Sequence, residues 1–141
     1  MFRGRYDHRV DDKGRLSLPS RFRDILIKYQ SGENLFLTSS IEQDNLRIYP
    51  LQAWEEVESK LAELPTHDML YESLVYQASY YGYECTLDSA GRVLIPQTLR
   101  ERVGLQDEVT LIGKLNYIQV WDRKRATAKA AEIDSMSRDL A

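Results

Sequence analysis

The chain has 141 residues, 43% of them hydrophobic and 29% charged, with a formal net charge of −3 and one cysteine. That length and apolar content allow one ordinary core or two small halves sharing one, and no apolar run approaches the ~20 residues that span a bilayer. A single cysteine excludes an internal disulfide, and one cysteine with two distant histidines, His8 and His67, argues against a zinc cluster, so no cofactor is expected.

The opening segment MFRGRYDHRV lacks the apolar stretch of a signal peptide, which points to the cytoplasm. Charge is distributed unevenly. Residues 1–23 hold seven basic side chains against three acids, a net of +4, which leaves −7 for the remainder. A polyanion would be drawn to this one end. If residues 3–9 form a strand, alternation places Arg3, Arg5, Asp7 and Arg9 on one face.

The stretch VDDKGRLSLPSRFR at 10–23 follows. Its DDKGR reads as a hairpin turn in which Gly14 takes a positive φ, and Leu16 and Leu18 alternate as a half-buried strand. Pro19 marks the start of a helix predicted over 20–32, with Gly32 at its stop. NLFLTS and NLRIY are predicted strands. Residues 51–64 then place Leu51, Trp54, Val57, Leu61 and Leu64 on one helical face, with glutamates opposite. After the break at PTHD, MLYESLVYQASYYG begins a second helix. Its YQASYYGY has no accompanying base, so packing in a core or between subunits suits the tyrosines better than nucleobase stacking.

At 87–100 the chain repeats itself as LDSAGRVLIPQTLR. Aligning residue n with n + 77 pairs Tyr6 with Tyr83, Asp11 with Asp88, Gly14 with Gly91, Arg15 with Arg92, Pro19 with Pro96 and Arg23 with Arg100. The strands VTLIG and YIQVW then answer NLFLTS and NLRIY, and a helix with a basic start, DRKRATAKAAEIDSMSRDLA, ends the sequence. Two copies are too few for a solenoid, so each unit is expected to cover the apolar face of the other. The expected fold is α+β and β-rich: two pseudo-symmetric swapped-hairpin halves in one barrel-like unit with linking helices. The predicted division is a first repeat at 5–51, a helical linker at 52–80, a second repeat at 81–124 and a C-terminal helix or tail at 125–141.

These features together, the opening FRG, DDKGRLSLP, DSAGRVLIP, LIGKLNYIQVWD and the helical spacer, resemble the MraZ family of the AbrB/SpoVT-like swapped-hairpin superfamily. The resemblance covers nearly the whole chain and is weakest after Trp121. It implies a nucleoid-associated bacterial transcription regulator that binds short repeated boxes of double-stranded DNA ahead of the division and cell-wall gene cluster. It also implies a homo-oligomeric ring of octamer size or larger. It carries over two Asp-x-x-x-Arg pairs, Asp11 with Arg15 and Asp88 with Arg92.

Each pair has two readings. An arginine at a hairpin tip can fork onto guanine or phosphate, or it can clamp the turn through its own aspartate. The positive surroundings favour DNA contact for Arg15, whereas Ser89-Ala90 in place of Asp12-Lys13 favours a turn clamp for Arg92. Arg3, Arg5, Arg9 and Lys13 are the expected phosphate contacts, and Arg21 and Arg23 are expected to be solvated or to lie between subunits. No HExxH, GxGxxG or P-loop pattern is present, and no acid–base constellation can be assembled, so an enzyme is not expected. The leading alternative is an oligomeric scaffold whose basic face docks an acidic protein.

Overall fold

In a computed structural model that describes residues 1–141, the strands are β1 (Arg5–Arg9), β2 (Arg15–Ser17), β3 (Asn34–Ser39), β4 (Leu46–Pro50), β5 (Tyr83–Thr86), β6 (Arg92–Leu94), β7 (Glu108–Gly113) and β8 (Ile118–Asp122). The helices are α1 (Ser20–Leu26), α2 (Leu51–Ala62), α3 (Met69–Tyr80), α4 (Gln97–Arg102) and α5 (Arg123–Leu140). Six strands form one antiparallel sheet in the order β1-β7-β8-β4-β3-β5, and β2 pairs with β6 as a separate ribbon.

That order is a palindrome of the repeat. Exchanging β1 with β5, β7 with β3 and β8 with β4 reproduces it, so a pseudo-twofold axis passes between β4 and β8, where Arg47 faces Gln119. The ribbon lies on the same axis, with Leu16 opposite Val93. The fold class is therefore the expected one, with two halves sharing strands. Its barrel-like unit is an open sheet capped by the ribbon, because β1 and β5 remain edge strands.

Alternation explains the layers. Leu35, Leu37, Leu46, Ile48, Val109, Leu111, Ile118 and Val120 project from one face of the sheet and are fully buried. Leu16, Leu18 and Phe22 of the first repeat close the core from the other side, with Val93, Ile95 and Leu99 of the second. Each of these side chains contributes about 1.5–3 kcal/mol by leaving water. A smaller cluster on the opposite face holds α2, where Trp54 stacks on Phe36 at 4.5 Å between ring centroids.

Two segments depart from the sequence expectation. The helix predicted over 20–32 stops at Leu26, and tight bonds such as Tyr29 N–H to Leu26 O and Gly32 N–H to Tyr29 O carry the chain onward. This turn lays Tyr29 flat against Phe2, 6.4 Å between centroids. The first strand begins at Arg5 rather than at residue 3, because Gly4 adopts φ +92° and swings the chain aside. The repeat also reaches further than the alignment, since α5 follows β8 as α2 follows β4.

The turns are what make the exchange of hairpins possible. Gly14 sits at φ +85°, and a Cβ there would stand 2.8 Å from Ile95 O. Gly32, at φ +57°, has open space around its own missing Cβ. Gly14→Ala should therefore lower the stability to urea by about 2–4 kcal/mol, combining left-handed strain with a displaced hydrogen-bonded carbonyl, against about 1–2 kcal/mol for Gly32→Ala. Equal losses at the two sites would contradict this packing.

Candidate nucleic-acid interface

The two Asp-x-x-x-Arg turns have the same construction. Asp11 Oδ1 accepts from the backbone N–H groups of Lys13 (3.0 Å) and Arg15 (2.8 Å), and Asp11 Oδ2 accepts from Arg15 Nε at 2.7 Å. In the second copy Asp88 Oδ1 accepts from the amides of Ala90 (2.9 Å) and Arg92 (2.8 Å), and Asp88 Oδ2 from Arg92 Nε at 2.8 Å. Both carboxylates are held below the usual aspartate range, chiefly by the backbone hydrogen bonds from Arg15 and Arg92. The clamp uses only Nε of each arginine. The Nη atoms of Arg15 and Arg92 have no protein partner, and each side chain is 32% exposed.

The ribbon then brings these two arginines together. Arg15 lies opposite Leu94 and Ser17 opposite Arg92, so all four share the outer face while Leu16 and Val93 point into the core. Arg15 and Arg92 occupy diagonal positions, which lie about 7–8 Å apart in an antiparallel pair. Ser17 and Leu94 fill the other corners and are exposed, Leu94 by 56%. The sequence reading missed Arg92 as a neighbour of Arg15. The signal was the repeat itself, because two hairpins that exchange strands about a twofold axis bring equivalent residues side by side.

The other candidates scatter. Lys13, exposed at the tip of the first turn, makes no ion pair. Arg5 and Arg9 alternate with Tyr6 and His8, and Tyr6 faces the core layer against Phe22 at 5.0 Å while His8 Nδ1 donates to Ser17 O at 2.8 Å. Arg5, Asp7 and Arg9 therefore project from the sheet face that carries α5, away from the ribbon. Arg9 is also occupied across β1 and β7, with Glu108 at 2.8 Å and Asp107 at 3.7 Å. Arg3, displaced by Gly4, leaves the line of Arg5 and Arg9 and joins Arg21 and Lys28 around a surface cleft that also holds Asp24.

Two further arginines are held in the turns. Arg23 of α1 lies over Gly91, and Arg100 of α4 lies over Gly14, with Arg100 Nε donating to Ile95 O at 3.1 Å. The layer made by the ribbon and its two following helices thus carries Lys13, Arg15, Arg21, Arg23, Lys28, Arg92 and Arg100. Of its acids, Asp11 and Asp88 are consumed in the clamps, while Asp12, Asp24 and Glu101 stay exposed among these bases.

The sole cysteine, Cys85, is half-buried, and burial pushes its thiol up to about 11, which makes it a poor nucleophile. No group of three or more His, Cys, Asp or Glu side chains is arranged to hold a metal ion, and no helix is long and apolar enough to cross a membrane.

Comparison with known proteins bears on what this layer does. The family model described as "MraZ protein, putative antitoxin-like" matches residues 1–71 and 81–140. The chain is 40% identical over 121 residues to a transcriptional regulator MraZ of Mannheimia succiniciproducens, covering 86% of this chain and 79% of that protein. It is 42% identical over 120 residues to the one of Acidobacterium capsulatum, covering 85% and 81%. With that of Actinobacillus pleuropneumoniae it shares 36% identity over 132 residues, covering 94% and 86%.

The turn clamps make a pH prediction. A carboxylate whose folded pKa is depressed stabilises the fold above the unfolded value and ceases to do so as pH falls through the folded one. The backbone amide resonances of Arg15 and Arg92 should therefore both titrate with midpoints below the ordinary aspartate value of about 3.9. A midpoint at or above that value for either amide would show that its clamp does not form.

Proposed function

This chain belongs to the MraZ family, and we propose that it is a sequence-specific, DNA-binding transcriptional regulator that reads duplex DNA with the outer face of its β2–β6 ribbon. One observation carries this reading: Arg15 and Arg92 stand diagonally on a two-stranded antiparallel ribbon, with their Nη atoms unpaired. A ribbon of this kind fits the major groove, about 12 Å wide, and an arginine with two free Nη donors can fork onto guanine O6 and N7. The clamp fixes each guanidinium before binding, so little rotamer entropy remains to be lost. Leu94 supplies an apolar contact suited to a thymine methyl.

Lys13 at the turn tip, with Arg3 and Arg21 beside α1, supplies the surrounding phosphate contacts. Arg5 is free of ion pairs but faces the other side of the sheet, and Arg9 already has two carboxylates. Both therefore contribute less than the charge of the N-terminal segment implies. DNA binding of this kind involves no catalysis, and it places the protein in the cytoplasm at the nucleoid.

Self-association accompanies the binding. Helix α3 has no fully buried side chain, and Met69, Leu70, Tyr76 and Tyr80 are 84%, 60%, 66% and 63% exposed. On α5, Ile133 and Met136 are about half exposed and Leu140 is 85% exposed. Such apolar surface marks contact between chains, and it supports the homo-oligomeric ring of the MraZ reading, where the tyrosines of α3 would pack between subunits. A ring presenting several ribbons to tandem boxes upstream of the division and cell-wall genes gains avidity of about 10²–10⁴ over one contact. That gain offsets the weak attraction expected of a chain with net charge −3.

Fluorescence anisotropy on a duplex enriched from a random pool tests the proposal. Two tandem copies of the box should bind far more tightly than one, and a scrambled duplex weakly. Lys13→Ala with Arg15→Ala should weaken binding by at least about 100-fold, and Arg92→Ala by about 10-fold, with the oligomer intact by light scattering. Each lost phosphate contact should flatten the salt dependence by about 0.9 log units per log salt. Equal, weak binding of every duplex would remove the regulator reading and leave a scaffold for an acidic protein.

A further inference from the structure

Beneath α2 and α3, on the sheet face away from the ribbon, lies a partly open cavity of about 130 Å³. Its walls are Trp54, Val57 and Leu61 of α2, Leu74 and Ala78 of α3, and Thr38 of β3. That volume is close to the roughly 150 Å³ of an engineered apolar cavity that takes up benzene. Arg47 of β4 also lines it.

Arg47 is not satisfied by the protein. Its Nε is buried without a hydrogen-bond partner. One Nη donates to Tyr49 Oη at a long 3.3 Å, and the guanidinium sits 5.0 Å from the centre of the Tyr117 ring. No carboxylate forms an ion pair with it. Burial pushes the Tyr49 phenol up, so this neighbour stays neutral and supplies no counter-charge. A buried donor left without an acceptor is costly, and in native proteins such a group calls for a specific explanation.

The pseudo-twofold axis shows that the scaffold does not require this charge. Arg47 faces its own counterpart across the axis, and that counterpart is Gln119. Gln119 is uncharged, and its side-chain oxygen accepts from Trp121 Nε1 at 2.9 Å. The cavity is equally one-sided. Trp54 forms a wall on α2, whereas the matching position of α5 is Ala126, and α3 has no partner in the other half.

We propose that this cavity is a binding site for a small carboxylate with a compact apolar body, its anion held by Arg47 and its body packed against Trp54, Leu61 and Ala78. The guanidinium supplies the charge-assisted, bidentate geometry that a carboxylate fits. The Thr38 hydroxyl has only a long 3.4 Å bond to Ala78 O and offers a second donor. An apolar enclosure with a few convergent polar groups is the usual construction of a small-molecule site.

Benzoate is a suitable probe, with benzamide as its neutral counterpart of the same shape. Titrated into the full chain without DNA, benzoate should shift the Trp54 indole N–H and Ala78 methyl resonances saturably, with a Kd in the millimolar range or tighter. Benzamide should bind at least tenfold more weakly. Arg47→Gln should remove the difference between the two compounds. Absence of saturable shifts, equal affinity of the two compounds for the unaltered chain, or an undiminished preference for benzoate in Arg47→Gln would each overturn the proposal. If the variant does not fold, the comparison in the unaltered chain decides alone, and no arm of the test depends on DNA binding.

Discussion

The carbonyl of Gly14 accepts from the amide of Ile95 at 2.8 Å, and the carbonyl of Gly91 accepts from the amide of Leu18 at 3.2 Å. Each hairpin turn is thereby seated on the strand end and helix start of the other repeat. Both contacts need glycine, because the backbone is left-handed there and the opposing chain or an arginine occupies the space of a Cβ. Once the turns are exchanged, β2 pairs along its length with β6 and keeps only the Val10–Leu16 bridge to its own repeat, and the apolar sides of the two units close on one core. Leu16 and Val93 face each other across the two repeats in that core.

The same exchange gives the molecule its chemical face. Clamping Arg15 and Arg92 through Nε alone makes the turns rigid while leaving the Nη atoms free. In the proposed reading, turn chemistry and recognition are not competing but consecutive roles of these residues, since the aspartate that holds the turn also orients the guanidinium through Nε. The charges added to this symmetric base, Lys13 and Arg21 beside the displaced Arg3, lie in the first repeat. At the opposite end of the axis the symmetry is broken again, by Arg47 against Gln119. In the proposed reading, shared letters, Arg15 and Arg92 among them, build both the scaffold and its reading face, and unshared ones such as Lys13, Arg21 and Arg47 add contacts around it.

Much of the fold was legible because glycine, proline and alternation act locally. DDKGR and DSAGR announced two equal turns, Pro19 and Pro96 two helix starts, and the paired strands two halves of one sheet. The candidate site was less legible, because charge totals along a segment say nothing about faces. Arg9 counted toward the basic end until strand pairing placed it against Glu108, whereas Arg3, expected in line with Arg5 and Arg9, is turned by Gly4 to join Arg21 instead. Arg92 was set apart from Arg15 by its neighbours Ser89 and Ala90, although strand exchange places the two arginines diagonally. The surroundings of Arg9 and Arg92 depend on contacts between residues some 75 to 100 positions apart, which no local pattern encodes.

The central claim is that the outer face of the ribbon meets DNA. A photo-reactive side chain installed at Ser17 or at Leu94, both exposed between the two arginines, reports on that face directly, with Glu58 on the exposed side of α2 as the reference position. Irradiated with the selected duplex, the Ser17 and Leu94 proteins should crosslink strongly and the Glu58 protein at background. Crosslinking at Glu58 equal to or above that at the ribbon positions would contradict the account.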